Sequence, residues 1–176
     1  MQMRNGPPVD LVAWHYTTGE RAALIERSGV LMPATAYIEA REIPVVWFST
    51  NPLWEPTACK LLQTPDGRLV RLTMEETYQR GGGLVRFGID PAKLYRGDDI
   101  PRFANITKSA WRQLCNVARM QGANPSEWGV LAGRIDIAGL AIQSMNDCME
   151  WAHMLTESSR HANSTCQDHA PEWRQA

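Results

Sequence analysis

Two short strings in this chain hold side chains that could build a chemical site. The first is His15-Tyr16-Thr17, placed where an apolar run over residues 11–16 gives way to a helical pattern. A neutral imidazole offers one donor and one acceptor, which suits a ribose hydroxyl pair. A helix start offers free backbone N–H groups and the positive end of a dipole, favourable to phosphate. Tyr16 adds a flat face on which a ring can stack. Taken alone, the triplet also fits a strand-end His satisfied by a carbonyl beside a packing Tyr.

The second string runs from Val46 to Lys60 and is dense in aromatic and hydrogen-bonding residues. Ser49-Thr50-Asn51 puts two hydroxyls and an amide at the end of a strand. Trp54 and Glu55 follow in a loop, where side chains more often bind than pack. Apolar walls with a few placed polar groups are what a pocket needs. A core strand with a capped turn is the structural alternative, and Lys60 reads as a solvated helix residue. Among Arg71, Arg86, Arg96 and Arg102, the strand residue Arg86 and the loop residue Arg102 are the better placed to hold a phosphate bidentately.

Other chemistries find little footing. His161, Cys166 and His169, with Cys148 and His153 upstream, fit no zinc-knuckle spacing, so no metal is expected. The chain has no Walker-type loop, GxGxxG or GxSxG, and Gly81-Gly82-Gly83 reads as a flexible break.

The elements that must position these residues follow from periodicity and turn chemistry. A strand over 11–16 leads through Thr17 and Glu20, at capping-box spacing, to a helix over 21–28 that Gly29 stops. Residues 43–49 form the clearest strand, closed by Asn51-Pro52. A helix over 56–62 starts on Pro56, Thr64-Pro65-Asp66-Gly67 is a turn, and 68–74 alternates as a strand. A strand over 84–89, a loop over 96–106 and a helix from a Thr107 cap to about residue 121 come next. That helix shows Ala110, Trp111, Leu114, Val117 and Ala118 on one face. Strands fill 128–154, with a hairpin turning at Asn146-Asp147. The mixture predicts an α+β fold: an N-terminal segment 1–10, one domain over 11–156 and a polar tail 157–176.

The 176 residues are 44% hydrophobic and 21% charged, enough to bury a core in one domain. A formal net charge of −1 provides no general attraction for a phosphate backbone. No apolar stretch approaches the roughly 18 residues of a membrane span, and the N-terminus lacks a signal-peptide core. The four cysteines lack CxxC spacing and read as reduced thiols, the first three as small core residues, in a cytoplasmic protein.

The strings WHYTTGERAALIERSGVL and VVWFSTNPLWEPTACK together resemble the ADP-ribosyltransferase-like superfamily, over about residues 12–60. The likeness is to its H-Y-x branch, which includes the poly(ADP-ribose) polymerases, DNA-modifying toxins and RNA 2′-phosphotransferases. The whole string is also similar to a group of uncharacterised bacterial proteins, which carries no function. The resemblance implies a split β-sheet core with helices packed on it, and NAD as substrate. It implies that His15 binds the nicotinamide ribose with Tyr16 and Thr17 beside it. Trp47, Phe48, Ser49, Thr50 and Trp54 then form the second wall, with Arg86 and Arg102 as phosphate ligands. Glu127 takes the position of the catalytic carboxylate, with Glu150 as the alternative, and a site lacking that carboxylate as a third possibility.

The expected activity is therefore transfer of ADP-ribose to a protein or nucleic acid, or hydrolysis of NAD. The setting it implies is a toxin or a phage or bacterial conflict factor, met by a neutralising or target protein, acting in the cytoplasm of its own or a target cell. An RNA 2′-phosphotransferase-like enzyme and a catalytically degenerate nucleotide- or protein-binding module are the rivals.

Overall fold

The apolar run around His15 forms strand β1 (Ala13–Thr18), and the next residue opens helix α1 (Gly19–Ser28). The computed structural model describes residues 12–36 and 38–153. The N-terminal segment, the polar tail and the tail residues His161, Cys166 and His169 lie outside them. Gly29 adopts φ 74° and donates its N–H to Ile25 O, so α1 ends as expected.

The start of α1 differs from expectation. Thr18 rather than Thr17 is the N-cap, and its side chain makes no capping bond. The Gly19 and Glu20 amides instead donate to the carbonyls of Gly83 and Gly81, at 2.9 and 3.0 Å. The triglycine segment, read from sequence as a flexible break, is the cap of α1. Only glycine fits this contact. A Cβ on Gly19 would lie 2.0 Å from Gly82 O, and one on Gly81 would lie 2.5 Å from Thr18 Cγ2.

The other elements are β2 (Val30–Leu31), β3 (Val45–Ser49), β4 (Leu61–Gln63), β5 (Leu69–Arg71), α2 (Met74–Arg80), β6 (Leu84–Ile89), β7 (Tyr95–Arg96), α3 (Asp99–Phe103), α4 (Lys108–Met120), β8 (Trp128–Ala132), β9 (Ile135–Asp136), β10 (Ala141–Met145) and β11 (Trp151–His153). Three local expectations are corrected. The helix over 56–62 shrinks to a 3-10 turn, Pro56–Ala58, because Leu61–Gln63 pairs with Leu69–Arg71 as a hairpin. Met74 leaves its strand to open α2, where Thr73 and Glu76 form a reciprocal capping box. The loop over 96–106 contains α3, held by the fully buried Ile100.

Seven strands form one sheet in the order β11-β10-β6-β1-β3-β8-β7, and every pairing in it is antiparallel. With four helices among the described residues, this is the expected α+β mixture. β1 pairs with β6 along its whole length, and β3 does so with β8. Between β1 and β3 the register holds only at Trp14 opposite Ser49. The sheet is thus two half-sheets joined at a single residue pair.

Period-2 alternation sends the side chains to two cores. Ala13, Val46, Phe48, Val85 and Phe87 pack with Ala22 and Ile25 of α1 on one face. Val45, Trp128 and Val130 pack with Ile100 and Ala104 of α3 and with Cys115 and Ala118 of α4 on the other. No described helix is long and apolar enough to cross a membrane. Cys59 and Cys115 are free thiols, whereas Cys148 is joined in a disulfide, which corrects the reading of every cysteine as reduced.

The Gly19 contact yields an inverted prediction. Alanine normally stabilises a helix over glycine by about 0.5–1 kcal/mol. Gly19→Ala is expected instead to destabilise the fold by about 1–3 kcal/mol, because the added Cβ meets backbone that cannot step aside. Denaturant unfolding of the variant checks this.

Candidate functional site

Past β3 the chain crosses onto the neighbouring half-sheet, and three successive carbonyls are each held by a side chain from that half. The Tyr16 hydroxyl donates to Asn51 O, Arg86 Nη1 to Pro52 O, and Trp151 Nε1 to Leu53 O at 2.6 Å. The Asn51 side chain makes the turn by accepting from the amides of Leu53 and Trp54, at 3.0 and 3.3 Å.

Arg86 is the centre of this clamp. Its guanidinium lies between the Trp14 and Trp151 rings, 4.0 and 4.3 Å from their centroids. Nε donates to Gln143 Oε1 at 2.8 Å, Nη2 donates to the same oxygen, and Nη1 also reaches Tyr16 Oη at 3.3 Å. Such a desolvated cation–π contact contributes about 2 kcal/mol. Burial pushes the Tyr16 phenol up to about 12, against the lowering effect of Arg86, so the phenol stays a donor. Burial lowers the Arg86 pKa, and the hydrogen bond to Tyr16 opposes that.

The half-sheets part beside this clamp, and a cavity of about 460 Å³ opens there. Tyr16, Trp47, Phe48 and Trp128 supply its aromatic walls; His15, Ser49, Glu55, Lys60 and Gln121 supply its polar groups. Leu114 and Val117 of α4 complete it. His15 bridges the gap: Nδ1 lies 2.9 Å from Trp47 O, where a strand pairing is missing. A carbonyl only accepts, so Nδ1 carries the proton. Burial holds the imidazole below its usual 6.5, and the charge of Lys60 adds to that lowering against the Trp47 bond. The ring is therefore neutral, and Nε2 is a bare acceptor on a residue that lines the cavity.

Glu55 is the carboxylate of this lining. It is 6% exposed, and its Oε1 accepts from the Thr57 amide at 3.2 Å and the Thr57 hydroxyl at 2.7 Å. Its Oε2 is buried without a protein partner, as is Trp54 Nε1. A buried acceptor left bare costs about 1–3 kcal/mol. Lys60 is the cation of the lining, its pKa lowered by burial and by the charge of Arg21. It sits between the 3-10 turn and β4, not in a helix.

The structure brings His15, Tyr16, Trp47, Phe48 and Ser49 together around this cavity. Other expected residues serve elsewhere. Thr17 is buried, and Trp54 packs edge-on against Tyr16 with ring centroids 5.1 Å apart. Thr50 ties the second half-sheet to the Glu127 turn: its amide and hydroxyl donate to Glu127 O at 2.9 and 3.3 Å. Arg86 is consumed by the clamp and keeps no edge for a phosphate. Arg102 is exposed on α3, 3.6 Å from Asp99, and lines a separate cavity with Lys108, Arg112 and Arg119. Of the α1 amides expected to meet phosphate, those of Gly19 and Glu20 are occupied by the carbonyls of Gly83 and Gly81.

Glu127 ends the 3-10 turn Pro125–Glu127 and does not line the cavity. Its Oε1 accepts weakly from Asn124 Nδ2 at 3.4 Å, and its Oε2 is buried without a protein partner. Glu150 is exposed in the β10–β11 turn, where Asn146 Oδ1 takes its amide. The sequence reading makes Lys60 a solvated helix residue, passes over Gln121 and leaves Glu55 unassigned, whereas all three line the cavity. A signal existed for Glu55 alone: an acidic residue directly before Pro at a turn start is a natural N-cap. No group of three or more His, Cys, Asp or Glu among the described residues could hold a metal ion. The chain matches no family model, no curated protein and no solved structure.

Two measurements test this geometry. Arg86→Lys keeps the charge but loses the planar fork and the stacking, and is expected to destabilise the fold by about 3 kcal/mol in denaturant unfolding. His15 sets a pH dependence. Below pH 6.5 the unfolded chain takes up a proton that the folded His15 refuses. The stability due to neutral His15 is complete above that pH and is lost as pH falls from it through the lower folded value. Between about pH 7.5 and about pH 5, wild type is expected to lose more stability than His15→Asn.

Proposed function

We propose that this chain is an NAD-using ADP-ribosyltransferase-like protein with a split-sheet core, transferring ADP-ribose to a macromolecular acceptor or to water. The observation that carries the reading is His15. Its Nδ1 is committed to Trp47 O across the opening between the half-sheets, which leaves a neutral ring with Nε2 as acceptor. A ribose hydroxyl is a donor of the kind such a nitrogen takes. Around it, Tyr16, Trp47, Phe48 and Trp128 offer aromatic surface for a flat ring.

The donor set of the cavity fits this substrate. The acceptors of half-buried His15 and buried Glu55 suit hydroxyl and amide donors, and Lys60 suits the negative charge of a diphosphate. Arg86, Arg102 and the α1 amides take no part in holding phosphate, so Lys60 is the cation of this site. Bound there, NAD supplies a leaving group, nicotinamide, which departs with the electrons of its glycosidic bond. A carboxylate near the developing positive charge favours the transition state over the ground state.

Two alternatives remain as readings of the same cavity. An RNA 2′-phosphotransferase needs several cations around its phosphate, and among the described residues Lys60 is the one Lys or Arg in the lining. A nucleotide-binding module without catalysis is favoured by Glu127 lying outside the lining. A toxin or a phage or bacterial conflict factor, with a target or neutralising protein as partner, is the setting that goes with the leading reading.

The test is nicotinamide release from NAD. Wild type is expected to release it, and His15→Ala, folded by circular dichroism, to lose about 100-fold or more in rate. NAD binding without release leaves the binding module. Turnover of an RNA with an internal 2′-phosphate, without use of NAD, favours the phosphotransferase.

A further inference from the structure

We infer that Glu55, in the segment that follows β3, is the catalytic carboxylate of this cavity. The inference rests on the NAD reading and moves the acid away from Glu127, the position that the resemblance implied.

The argument begins with burial. Glu55 is 6% exposed, and Oε1 is fully occupied by the Thr57 amide and hydroxyl. Oε2 is buried with no protein partner. A carboxylate oxygen in that position costs stability unless something donates to it. Glu55 also lines the same cavity as His15, so a ligand there meets both residues.

Its position is rigid. The three clamped carbonyls at 51–53 lead directly into Trp54, which packs on Tyr16, and then into Glu55. Thr57 holds one carboxylate oxygen, which orients the other. A group intended for chemistry needs this kind of support.

Glu127 also has a buried, unpartnered Oε2, but its surroundings differ. Arg96 Nη2 donates to Ser126 O at 3.3 Å and to Thr50 Oγ1 at 3.5 Å, and Thr50 in turn holds Glu127 O. Arg96 Nε is itself buried without a partner. Glu127 thus sits in a turn whose backbone is held by Arg96 and Thr50, and it does not line the cavity. Glu55 instead lines the cavity together with His15 and Lys60. The charges of both carboxylates help to raise the Tyr16 phenol, but among the described residues Glu55 is the acid that lines the cavity.

In the reaction, the bond between ribose C1′ and the nicotinamide nitrogen breaks, and its electron pair leaves with nicotinamide. The oxygen of water or of an acceptor hydroxyl forms the new bond to C1′. Its proton passes to Glu55 Oε2 and then to solvent. His15 Nε2 holds a ribose hydroxyl throughout. Nothing beyond NAD and the acceptor is consumed.

The experiment compares wild type, Glu55→Gln, Glu55→Asp and Glu127→Gln in two assays: nicotinamide release, and NAD affinity by calorimetry. Glu55→Gln keeps the acceptor for Thr57, and Glu55→Asp keeps the charge but withdraws it by one methylene. Unfolding midpoints are measured for all four. Expected is a loss of about 100-fold or more in release for Glu55→Gln with affinity held within a few-fold, and near wild-type release for Glu127→Gln. Full activity in folded Glu55→Gln, or in Glu55→Asp should the first variant not fold, overturns the inference while the NAD reading stands. So does loss confined to Glu127→Gln. Wild type that binds NAD without releasing nicotinamide overturns the catalytic role. Wild type that neither binds NAD nor releases nicotinamide removes the NAD reading and this inference with it.

Discussion

A guanidinium taken out of water must have its charge and its donors answered, or it costs more than the fold can spare. Around Arg86 that requirement organises a whole face of the molecule. Two indoles cover its planes, Gln143 takes two of its donors, and Pro52 O and Tyr16 take another. The side chains involved come from β1, β6, β10 and β11, all in one half-sheet. The carbonyls come from the segment leaving the other half. One buried charge therefore bridges two bodies that the backbone joins at a single residue pair.

That bridge permits the opening beside it. Where β1 and β3 part, the missing ladder would leave polar groups bare in the interior, a costly condition. His15 answers one of them by giving its Nδ1 proton to Trp47 O. The same bond fixes the tautomer and so determines what the ring presents. Structural satisfaction and chemical presentation are here one interaction, which is why the two readings of this histidine do not compete. The clamp acts likewise on Glu55, since the segment it pins is the one that carries the carboxylate into the cavity.

Sequence patterns reported local chemistry well and long-range commitments poorly. The strand containing His15, the Gly29 stop and the Thr107 cap were legible because each depends on neighbours within a few residues. The capping box at Thr73 and Glu76 was equally local, yet the alternation of Val70, Leu72 and Met74 hid it. The triglycine segment shows the limit most clearly. Flexibility is what three glycines suggest in isolation. Their closeness to Gly19, more than sixty positions earlier, makes them a rigid cap instead. Arg86 was read as free to bind phosphate because nothing near it in the chain announces Trp14, Gln143 or Trp151.

The sequence by itself determined the residue types at the site: an imidazole at a strand end, an aromatic and hydroxyl-bearing strand, and a loop with an acid before a proline. It also determined the α+β mixture, through periodicities that act over one element at a time. Tertiary structure decided which of those groups are free. Hydrogen-bond capacity is finite, so a donor used in the fold is lost to a ligand. Arg86 and the α1 amides are used, while His15 Nε2 and Glu55 Oε2 are left over. That division depends on partners tens of residues away, and only packing brings them together.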